Sequence, residues 1–303
     1  TSSRRSSAKP VVNVKPNKLS SGFTEAIEFC RELSRNTGDS DLDMSEVRFV
    51  SPSFLLPAMV YLQNLPYWPN MTNIGTYLSV VSFQNGGVDS SRFLRSSAFK
   101  SYMESYASKS FIPIIKFPTD LSGSDTRNAI LDCIDNILGR QVQFGNNVRQ
   151  ALKYIIGEAV DNIVEHANSK FGYIVAQSYE NGGYTDICIA DTGNTLIGSY
   201  ASNPRTSEIS SDIEAIQAAI NGISAKNLPD AENRGYGFRT SINMLTKGLG
   251  GEYLLVSGDS AFAVNKTQGQ SLILPYGIRF EGTIVAFRIP HIGNGFYYLN
   301  YVE

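Results

Sequence analysis

The stretch of chain from residue 148 to residue 190 constrains the fold more strongly than any other part of the sequence. Its first half predicts a helix ending near His166, because apolar residues recur on one helical stripe at Val148, Leu152, Ile155, Ala159 and Ile163. Two alternating segments follow, Tyr173–Tyr179 and Thr185–Ala190, and the Asn-Gly-Gly sequence between them predicts a β-hairpin. Helices and strands mix along the chain, and each must bury its apolar face against another element, so the chain is predicted to have an α/β (α+β) fold.

Composition and charge exclude several functional classes. Twenty-six Lys+Arg against 28 Asp+Glu give a net charge of −2, so no global basic field attracts nucleic acid or a membrane surface. The longest apolar runs, such as Phe54–Leu62, are shorter than the ~20 residues that span a bilayer. Two histidines are too few for a multi-histidine metal site. The three cysteines, Cys30, Cys133 and Cys188, form no CxxC pair, which is typical of a reducing, cytoplasmic compartment.

The length of 303 residues predicts two domains, because a single hydrophobic core rarely grows so large. Pro118–Ser124, with the sequence PTDLSGS, is the best candidate for the linker between them. We therefore expect a small α/β domain over residues 21–118 and a second domain over residues 125–303. Residues 1–20 carry five basic side chains and no acidic one, which favours a solvated, flexible leader over a binding arm.

The pattern of the first domain predicts alternating helices and strands. Helices are expected over Ser21–Asn36 and Ser53–Leu65, and strands over Val47–Val50, Tyr77–Phe83 and Phe111–Phe117. Pro57 is expected in the first turn of the second helix, where the missing N–H does little harm. Pro113 within the last strand indicates the edge of a sheet or the end of a strand.

The polar residues of the long helix are grouped along one edge. Asn162 lies about 40° from Glu158 around the helix axis, and Glu165 lies about 20° to its other side. His166 follows about 80° from Glu158. A solvated helix face explains this grouping without any function. A carboxylate, a carboxamide and an imidazole on one edge are also a set that can carry chemistry.

Two glycine-containing segments come later in the chain. Asp191-Thr192-Gly193 follows directly after a predicted strand, where the Asp191 carboxylate either forms an Asx-type turn or accepts a hydrogen bond from a ligand amine. Asn233–Phe238, with the sequence NRGYGF, opens a predicted helix, and bare backbone N–H groups at a helix start favour an anion. Glycine turns precede many helices, and the segment matches neither a Walker motif nor a Rossmann fingerprint.

Taken in order, these three pieces resemble the GHKL ATPase superfamily, which includes gyrase, histidine kinases and MutL-like proteins. Glu158-x3-Asn162-x3-His166 is similar to its N box, Asp191-Thr192-Gly193 to its first glycine box, and Gly235-Tyr236-Gly237-Phe238 to its second. LGGEYLLVSG and EGTIVAFRIP resemble its closing strands, so the resemblance covers residues 125 to 290. It implies a two-layer sandwich of the Bergerat type, with helices on one face of a mixed sheet. Anti-sigma-factor serine kinases and related regulatory ATPases are the most similar members.

The resemblance implies a role for each matching residue. Asp191 would bind the adenine amino group, and Gly193 would let the base approach the backbone. Asn162 would ligate Mg²⁺ together with the triphosphate oxygens. Glu158 would act as the general base on water or a substrate hydroxyl. His166 belongs to the nucleotide-binding N box and is a poor phosphoacceptor.

The second glycine box implies the phosphate site. Gly235, Gly237 and the N–H groups at Phe238 would hold the phosphates, and Arg234 or Arg239 would neutralise their charge. Residues 195–233 would form the lid over ATP, and their Gly, Ser and Asn content favours mobility.

The sequence departs from the family in two respects. The first glycine box usually reads DxGxG, and Thr195 occupies the second glycine position here, which puts the hinge freedom of the lid in doubt. Residues 1–157 contain no histidine, so the chain lacks the upstream phosphoacceptor of a conventional sensor histidine kinase. His291 is expected at a strand end or on the surface.

The first domain resembles the STAS domain of anti-anti-sigma factors through DLDMSEVRFVSPSFLLPAMVYL, in which a strand and a turn lead into a helix. That turn carries a phosphorylatable serine in the family. Pro52 separates Ser51 from Ser53, so either residue could match. An ordinary Ser N-cap is the simpler interpretation.

These patterns together predict a cytoplasmic, ATP–Mg²⁺-binding regulatory protein, either a serine protein kinase or a slow ATPase in a partner-switching system. A nucleotide-gated binding module with little turnover is the alternative, as is a GHKL-like domain that has lost nucleotide binding. The resemblance implies a STAS-type or sigma-factor-like protein partner. Dimers are common in the family, so a homodimer is one state that it implies.

Overall fold

The computed structural model describes residues 18–35, 42–44, 47, 49–66, 68–72, 74–90, 97–119, 124–142, 144–225, 237–291 and 296–302. Its helices are α1 (Leu19–Arg35), α2 (Pro52–Gln63), α3 (Thr76–Val80), α4 (Ser97–Glu104), α5 (Ser124–Gln141), α6 (Asn146–His166), α7 (Leu196–Ala201), α8 (Asp212–Ile220) and α9 (Gly237–Asn243). Its strands are β1 (Leu42–Asp43), β2 (Met71–Thr72), β3 (Val88–Asp89), β4 (Phe111–Pro118), β5 (Phe171–Tyr179), β6 (Tyr184–Asp191), β7 (Glu252–Gly258), β8 (Ser260–Val264), β9 (Gly269–Ile273) and β10 (Phe280–Pro290).

The fold is of the mixed α/β type, as predicted, and its centre is an eight-stranded sheet. The strand order is β3-β4-β5-β6-β10-β7-β8-β9, with β3 and β4 parallel and the other neighbours antiparallel. The predicted hairpin is confirmed as β5–β6, and its turn needs glycine because Gly183 has φ of 67°. The long predicted helix is confirmed as α6. Among the described helices, none combines the length and the apolar character that crossing a bilayer requires.

Both faces of the sheet are buried, because α1 and α2, which precede residue 118, cover the face opposite to α5 and α6. On one side α5 and α6 pack on the sheet residues Ile174, Ala176, Ile187, Ile189, Leu255, Val285 and Phe287. On the other side α1 and α2 pack on Tyr173, Val175, Cys188, Ala190, Leu254, Val256, Ile284 and Ala286. The sequence contains a signal for this, because a half-solvated strand alternates between apolar and polar residues. The segment Ile187–Ala190 is apolar at every position and needs cover on both sides.

Elements from both sides of the predicted domain boundary take part in this one sheet. Strands β3 and β4 precede residues 118–124, and β4 pairs with β5, which follows them. Helix α2 contacts β5, β6 and β10. Pro118 is the last residue of β4, and residues 120–123 of the predicted linker lie outside the described residues. The division into two domains stays a prediction, and so does the leader, of which residues 1–17 are not described.

Two predicted strands are wrong. Val47–Val50 has no strand among its described residues, and Tyr77–Phe83 forms α3 followed by a 3₁₀ turn. The buried residues of the second segment are Leu78, Val81 and Phe83, and the three-residue step between the first two is helical rather than alternating. The Tyr77 hydroxyl donates to the Val50 carbonyl at 3.1 Å, so the two segments bond to each other outside the sheet.

The two prolines compare differently with the expectation. Pro113 lies inside β4 and not at its end, at an irregularity where the pairing with β5 shifts between Ile112 and Ile115. Because, among the described residues, β3 pairs with β4 only at Ile115 and Lys116, Pro113 lies on a sheet edge, which is the other alternative that the sequence predicted. There the N–H of Ile114 donates to the Val81 carbonyl at 3.0 Å instead. Pro57 lies inside α2 and beyond its first turn, because the helix begins at Pro52. Pro52 is the proline in the tolerated first position.

A buried ion pair joins the central strands on the α1–α2 side. Arg288 donates from Nε and Nη2 to the two carboxylate oxygens of Asp186, at 2.7 and 2.9 Å. The guanidinium also lies 3.8 Å from the Tyr184 ring centroid. On its other side Arg288 pairs with Glu252 across the β10–β7 ladder, and Glu252 Oε2 accepts the Leu19 N–H at 2.7 Å. The start of α1 is therefore bonded to a charged row that crosses three strands.

Asp186→Asn is expected to reduce the free energy of unfolding by roughly 3–5 kcal/mol, because it removes the carboxylate charge that accepts both hydrogen bonds from the buried Arg288 guanidinium. Urea unfolding measures this cost. Asp135→Asn is the control, since it breaks a pair with Arg149 whose side chain is 37% exposed, and it should cost about 1 kcal/mol. An Asp186→Asn cost no larger than that of the control would contradict the assignment of this pair as a buried anchor.

Candidate functional site

A cleft of about 250 Å³ opens where β6 ends, beside α6 and the start of α9. Its walls come from α6, from the segment containing α7 and α8, and from β10. The structure brings six of the predicted site residues to this cleft, namely Glu158, Asn162, His166, Asp191, Gly237 and Phe238. They come from three separate parts of the chain, so their convergence is a property of the fold.

Asp191 is the most unusual side chain of the cleft, because it is a carboxylate that is only 1% exposed and is held by two backbone N–H groups. Its Oδ1 accepts the Gly193 N–H at 2.8 Å, and its Oδ2 accepts the Thr283 N–H at 3.1 Å. Burial raises the pKa of Asp191 to about 7, and the two backbone N–H groups oppose that rise. The carboxylate keeps acceptor capacity for a further donor, since two oxygens offer about four lone-pair sites.

Two glycines let the backbone pass close to Asp191. A Cβ atom on Gly193 would lie 1.8 Å from the Ala167 carbonyl oxygen, so no other residue fits at this position without a shift. Gly282 has φ of 86°, and a Cβ there would lie 2.3 Å from the Asp191 carbonyl oxygen. Gly282 and Thr283 are site residues that sequence reasoning missed. The sequence shows them as a Gly-Thr pair near the start of a strand. This pair indicates a site only once β10 is known to pair with β6, the strand that ends at Asp191.

Helix α6 supplies the polar edge that the sequence predicted. Ile155, Ala159 and Ile163 are buried in the core. Glu158, Asn162 and Glu165 line the cleft together with His166 and Asp161, and Ile163 also reaches its wall. The His166 side chain is 27% exposed, and its Nε2 lies 3.8 Å from Glu165 Oε2. The grouping of polar residues on one edge therefore faces a concave site.

The start of α9 meets the Glu158 carboxylate. A Cβ atom on Gly237 would lie 2.1 Å from Glu158 Oε2, so the glycine allows the carboxylate to lie against the helix start. Phe238 lines the cleft and Arg239 is exposed. The predicted phosphate-binding residues Arg234 and Gly235 lie within residues 226–236, which are outside the described residues.

Thr195 occupies the second glycine position of the first box without backbone strain. Its φ is −69°, and its side chain accepts the Gly198 N–H at 3.3 Å as the N-cap of α7. This position therefore needs no glycine in the present conformation. Of the predicted lid, residues 195–225 are described, and Ser199, Tyr200 and Ala219 contribute to the cleft wall.

Ser51 and Ser53 are buried beneath α1. Their side chains are 1% and 0% exposed, and their hydroxyl oxygens lie 3.0 Å apart in a hydrogen bond. A Cβ on Gly22 of α1 would lie 2.1 Å from Ser51 Oγ. Ser51 occupies the N-cap position of α2 but makes no side-chain capping bond. Neither hydroxyl is exposed to a kinase in this conformation.

The residues of the cleft suit Mg²⁺ only as a phosphate-bound ion. Among the described residues no three His, Cys, Asp or Glu side chains group into a metal site. Mg²⁺ usually binds through one or two protein oxygens, water and substrate phosphates, and the Asn162 carboxamide and Glu158 carboxylate can supply such oxygens. His291 takes no part in the cleft, and its Nε2 lies 3.0 Å from Thr185 Oγ1 at the opposite end of β6.

Comparison of the chain with models of protein families, with curated proteins and with solved structures found no match.

The raised pKa of Asp191 predicts a pH-dependent stability difference. A carboxyl group whose pKa is raised to about 7 by folding binds more protons in the native state, so its contribution to stability falls as pH rises towards 7. The melting temperature of the wild type should fall relative to that of Asp191→Asn between pH 5 and pH 8. Asp132→Asn, which removes an exposed carboxylate from α5, is the control. Parallel pH profiles for the wild type and Asp191→Asn would contradict the buried carboxyl.

Proposed function

We propose that the chain is an ATP–Mg²⁺-binding regulatory protein of the GHKL class, with an ATP-binding part of the Bergerat type over residues 125–303. The observation that carries the proposal is the Asp191 carboxylate. It is buried at a strand end, it is held by the Gly193 and Thr283 N–H groups, and it lines a cleft. Burying such a carboxylate costs free energy, and a ligand that donates a hydrogen bond to it offsets this cost.

An adenine ring fits the chemistry around Asp191. Its exocyclic amine is a donor, and the carboxylate is an acceptor with lone pairs left over. Apolar side chains of Ile163, Ile189 and Val285 line the same cleft and could contact the flat ring. Ligand clefts typically combine an apolar lining with a few polar groups that fix orientation.

The triphosphate would extend from the base towards α6 and α9. In the proposed arrangement the Asn162 carboxamide oxygen ligates Mg²⁺, and the backbone N–H groups of Gly237 and Phe238 bind phosphate oxygens. Mg²⁺ supplies charge neutralisation for the phosphates when it is bound. Gly235, with Arg234 or Arg239, is proposed to complete the phosphate site, and His166 to line it from the end of α6.

Glu158 is the proposed general base. Its carboxylate lies at the start of α9, where the phosphates would end, so it can accept a proton from a water or a serine hydroxyl that attacks the terminal phosphorus. The phosphoryl group then moves to that oxygen, and ADP leaves. This position favours a slow ATPase or a serine protein kinase over a nucleotide-gated module without turnover. A GHKL-like domain that has lost nucleotide binding is the remaining alternative, and the unstrained Thr195 weakens its main argument.

The protein partner, the homodimer and the cytoplasmic location are parts of the proposal that rest on the family resemblance. The STAS-like character of residues 21–118 rests on it too. The burial of Ser51 and Ser53 argues against constitutive phosphorylation of this segment. In the serine-kinase form of the proposal, the serine that accepts the phosphoryl group therefore lies on the partner protein.

Calorimetric titration with ATP–Mg²⁺ tests the proposal. We expect saturable binding to the wild type and at least tenfold weaker binding to Asp191→Asn, because the amide turns one acceptor oxygen into a donor. Glu158→Ala should keep binding and lose turnover, and turnover that is undetectable in the wild type with every candidate partner would favour the gated module. Absence of both heat and a thermal shift with the wild type would overturn the proposal.

A further inference from the structure

Ser257 links two walls of the cleft without lining it. It is a fully buried residue of β7. Its Oγ accepts the Leu196 N–H, at the start of α7, at 2.9 Å and donates to the Gly282 carbonyl at 2.9 Å. One hydroxyl therefore bonds the wall helix α7 to the residue that precedes Thr283.

Asp212 makes a second link of the same kind from α8. It is the first residue of the helix and is 6% exposed. Its Oδ2 accepts the Asp259 N–H at 3.2 Å and also a hydrogen bond from Arg279 Nη1. A Cβ on Gly258 would lie 2.1 Å from this carboxylate, so the glycine leaves the space in which the pair forms.

Both links end on residues 279–283, where the sheet itself is irregular. The pairing of β10 with β7 shifts between Phe280 and Thr283, and Gly282 within the shift has φ of 86°. The regular ladder is interrupted there, and the Ser257 hydroxyl donates to the Gly282 carbonyl within the shift. The next residue is Thr283, whose N–H holds Asp191.

We propose that Ser257, Asp212 and Arg279 are positioning residues that couple the base acceptor Asp191 to the α7–α8 wall of the cleft. The ligand in this coupling is the adenine nucleotide, so the inference rests on the proposed function. A base bound to Asp191 stabilises the position of Thr283 and Gly282, and through them the Ser257 and Arg279 links. The coupling is reciprocal, so loosening the wall weakens binding by the same factor. Ser257 falls in the LGGEYLLVSG segment and Asp212 in the predicted lid, but the family resemblance gives a role to neither of them, nor to Arg279.

Ser257→Ala tests the first link, with Ser178→Ala as the matched control. Ser178 is also a buried serine on a central strand, and its hydroxyl bonds Thr185 at 2.9 Å in the part of β5 remote from the cleft. In the ligand-free protein, Ser257→Ala should speed hydrogen–deuterium exchange at Thr283 as well as at Leu196, although the Ser257 hydroxyl bonds Leu196 and Gly282 and the Thr283 N–H donates to Asp191. The control should change neither amide.

The same variant should also bind ATP–Mg²⁺ about tenfold more weakly and release it faster, which corresponds to about 1.4 kcal/mol. A positioning role makes one prediction that general destabilisation does not. If the Thr283 N–H moves away from Asp191, the pKa of that carboxyl rises further, so the pH of half-maximal binding should move upward. In Ser178→Ala that midpoint should stay at the wild-type pH.

Arg279→Ala tests the second link at a residue whose side chain is 43% exposed, so the variant is expected to fold even where Ser257→Ala does not. It should speed exchange in α8 and at Thr283. If hydrogen–deuterium exchange at the Thr283 amide keeps its wild-type rate in both variants, the coupling is overturned. If Ser257→Ala does not fold, a wild-type rate in Arg279→Ala alone overturns it. Wild-type affinity for ATP–Mg²⁺ in these variants, together with loss of binding in Asp191→Asn, overturns the coupling and leaves the proposed function intact. If the wild type binds no ATP–Mg²⁺, the coupling to a nucleotide fails with the proposed function.

Discussion

The central strands β6, β10 and β7 are buried on both faces, and the rest of the structure follows from that constraint. A sheet with two apolar faces needs two helical layers, so α1 and α2 cover one side while α5 and α6 cover the other. Polar chemistry is then confined to the strand ends. At one end lies the pair Asp186–Arg288, and at the other end lies the open cleft with Asp191.

The cleft depends on a carboxylate that the fold keeps buried at some cost. Desolvation raises the pKa of Asp191 to about 7, and two backbone N–H groups offset only part of that effect. The proposed function interprets this carboxylate as an acceptor for a ligand donor and not as an Asx turn alone, because a donor from outside the protein would offset the remaining cost. Glu158 and Asn162 reach the same cleft from α6. The residues proposed to bind the adenine base, to bind the Mg²⁺-phosphate and to activate water therefore line one cavity.

Local patterns predicted well those parts of the molecule that local physics determines. The apolar stripe of α6 and the β5–β6 hairpin follow from spacing and turn residues, and they agree with the structure. The polar edge of α6 was likewise visible in the sequence. Tyr77–Phe83 was misassigned because a short apolar run fits both periods. The second helical layer and the roles of Gly282 and Thr283 depend on pairing between distant residues, which spacing along one chain does not encode.

The central claim is that Asp191 recognises an exocyclic amine, and a comparison of ATP with ITP at pH 8.5 tests it most directly. ITP differs at the base in carrying a carbonyl oxygen where ATP carries the amine, and at this pH Asp191 is an acceptor only. Equilibrium titration of the wild type with each Mg²⁺ complex should give at least tenfold tighter binding of ATP, because the oxygen would face a carboxylate. Equal affinities for the two nucleotides would contradict the account.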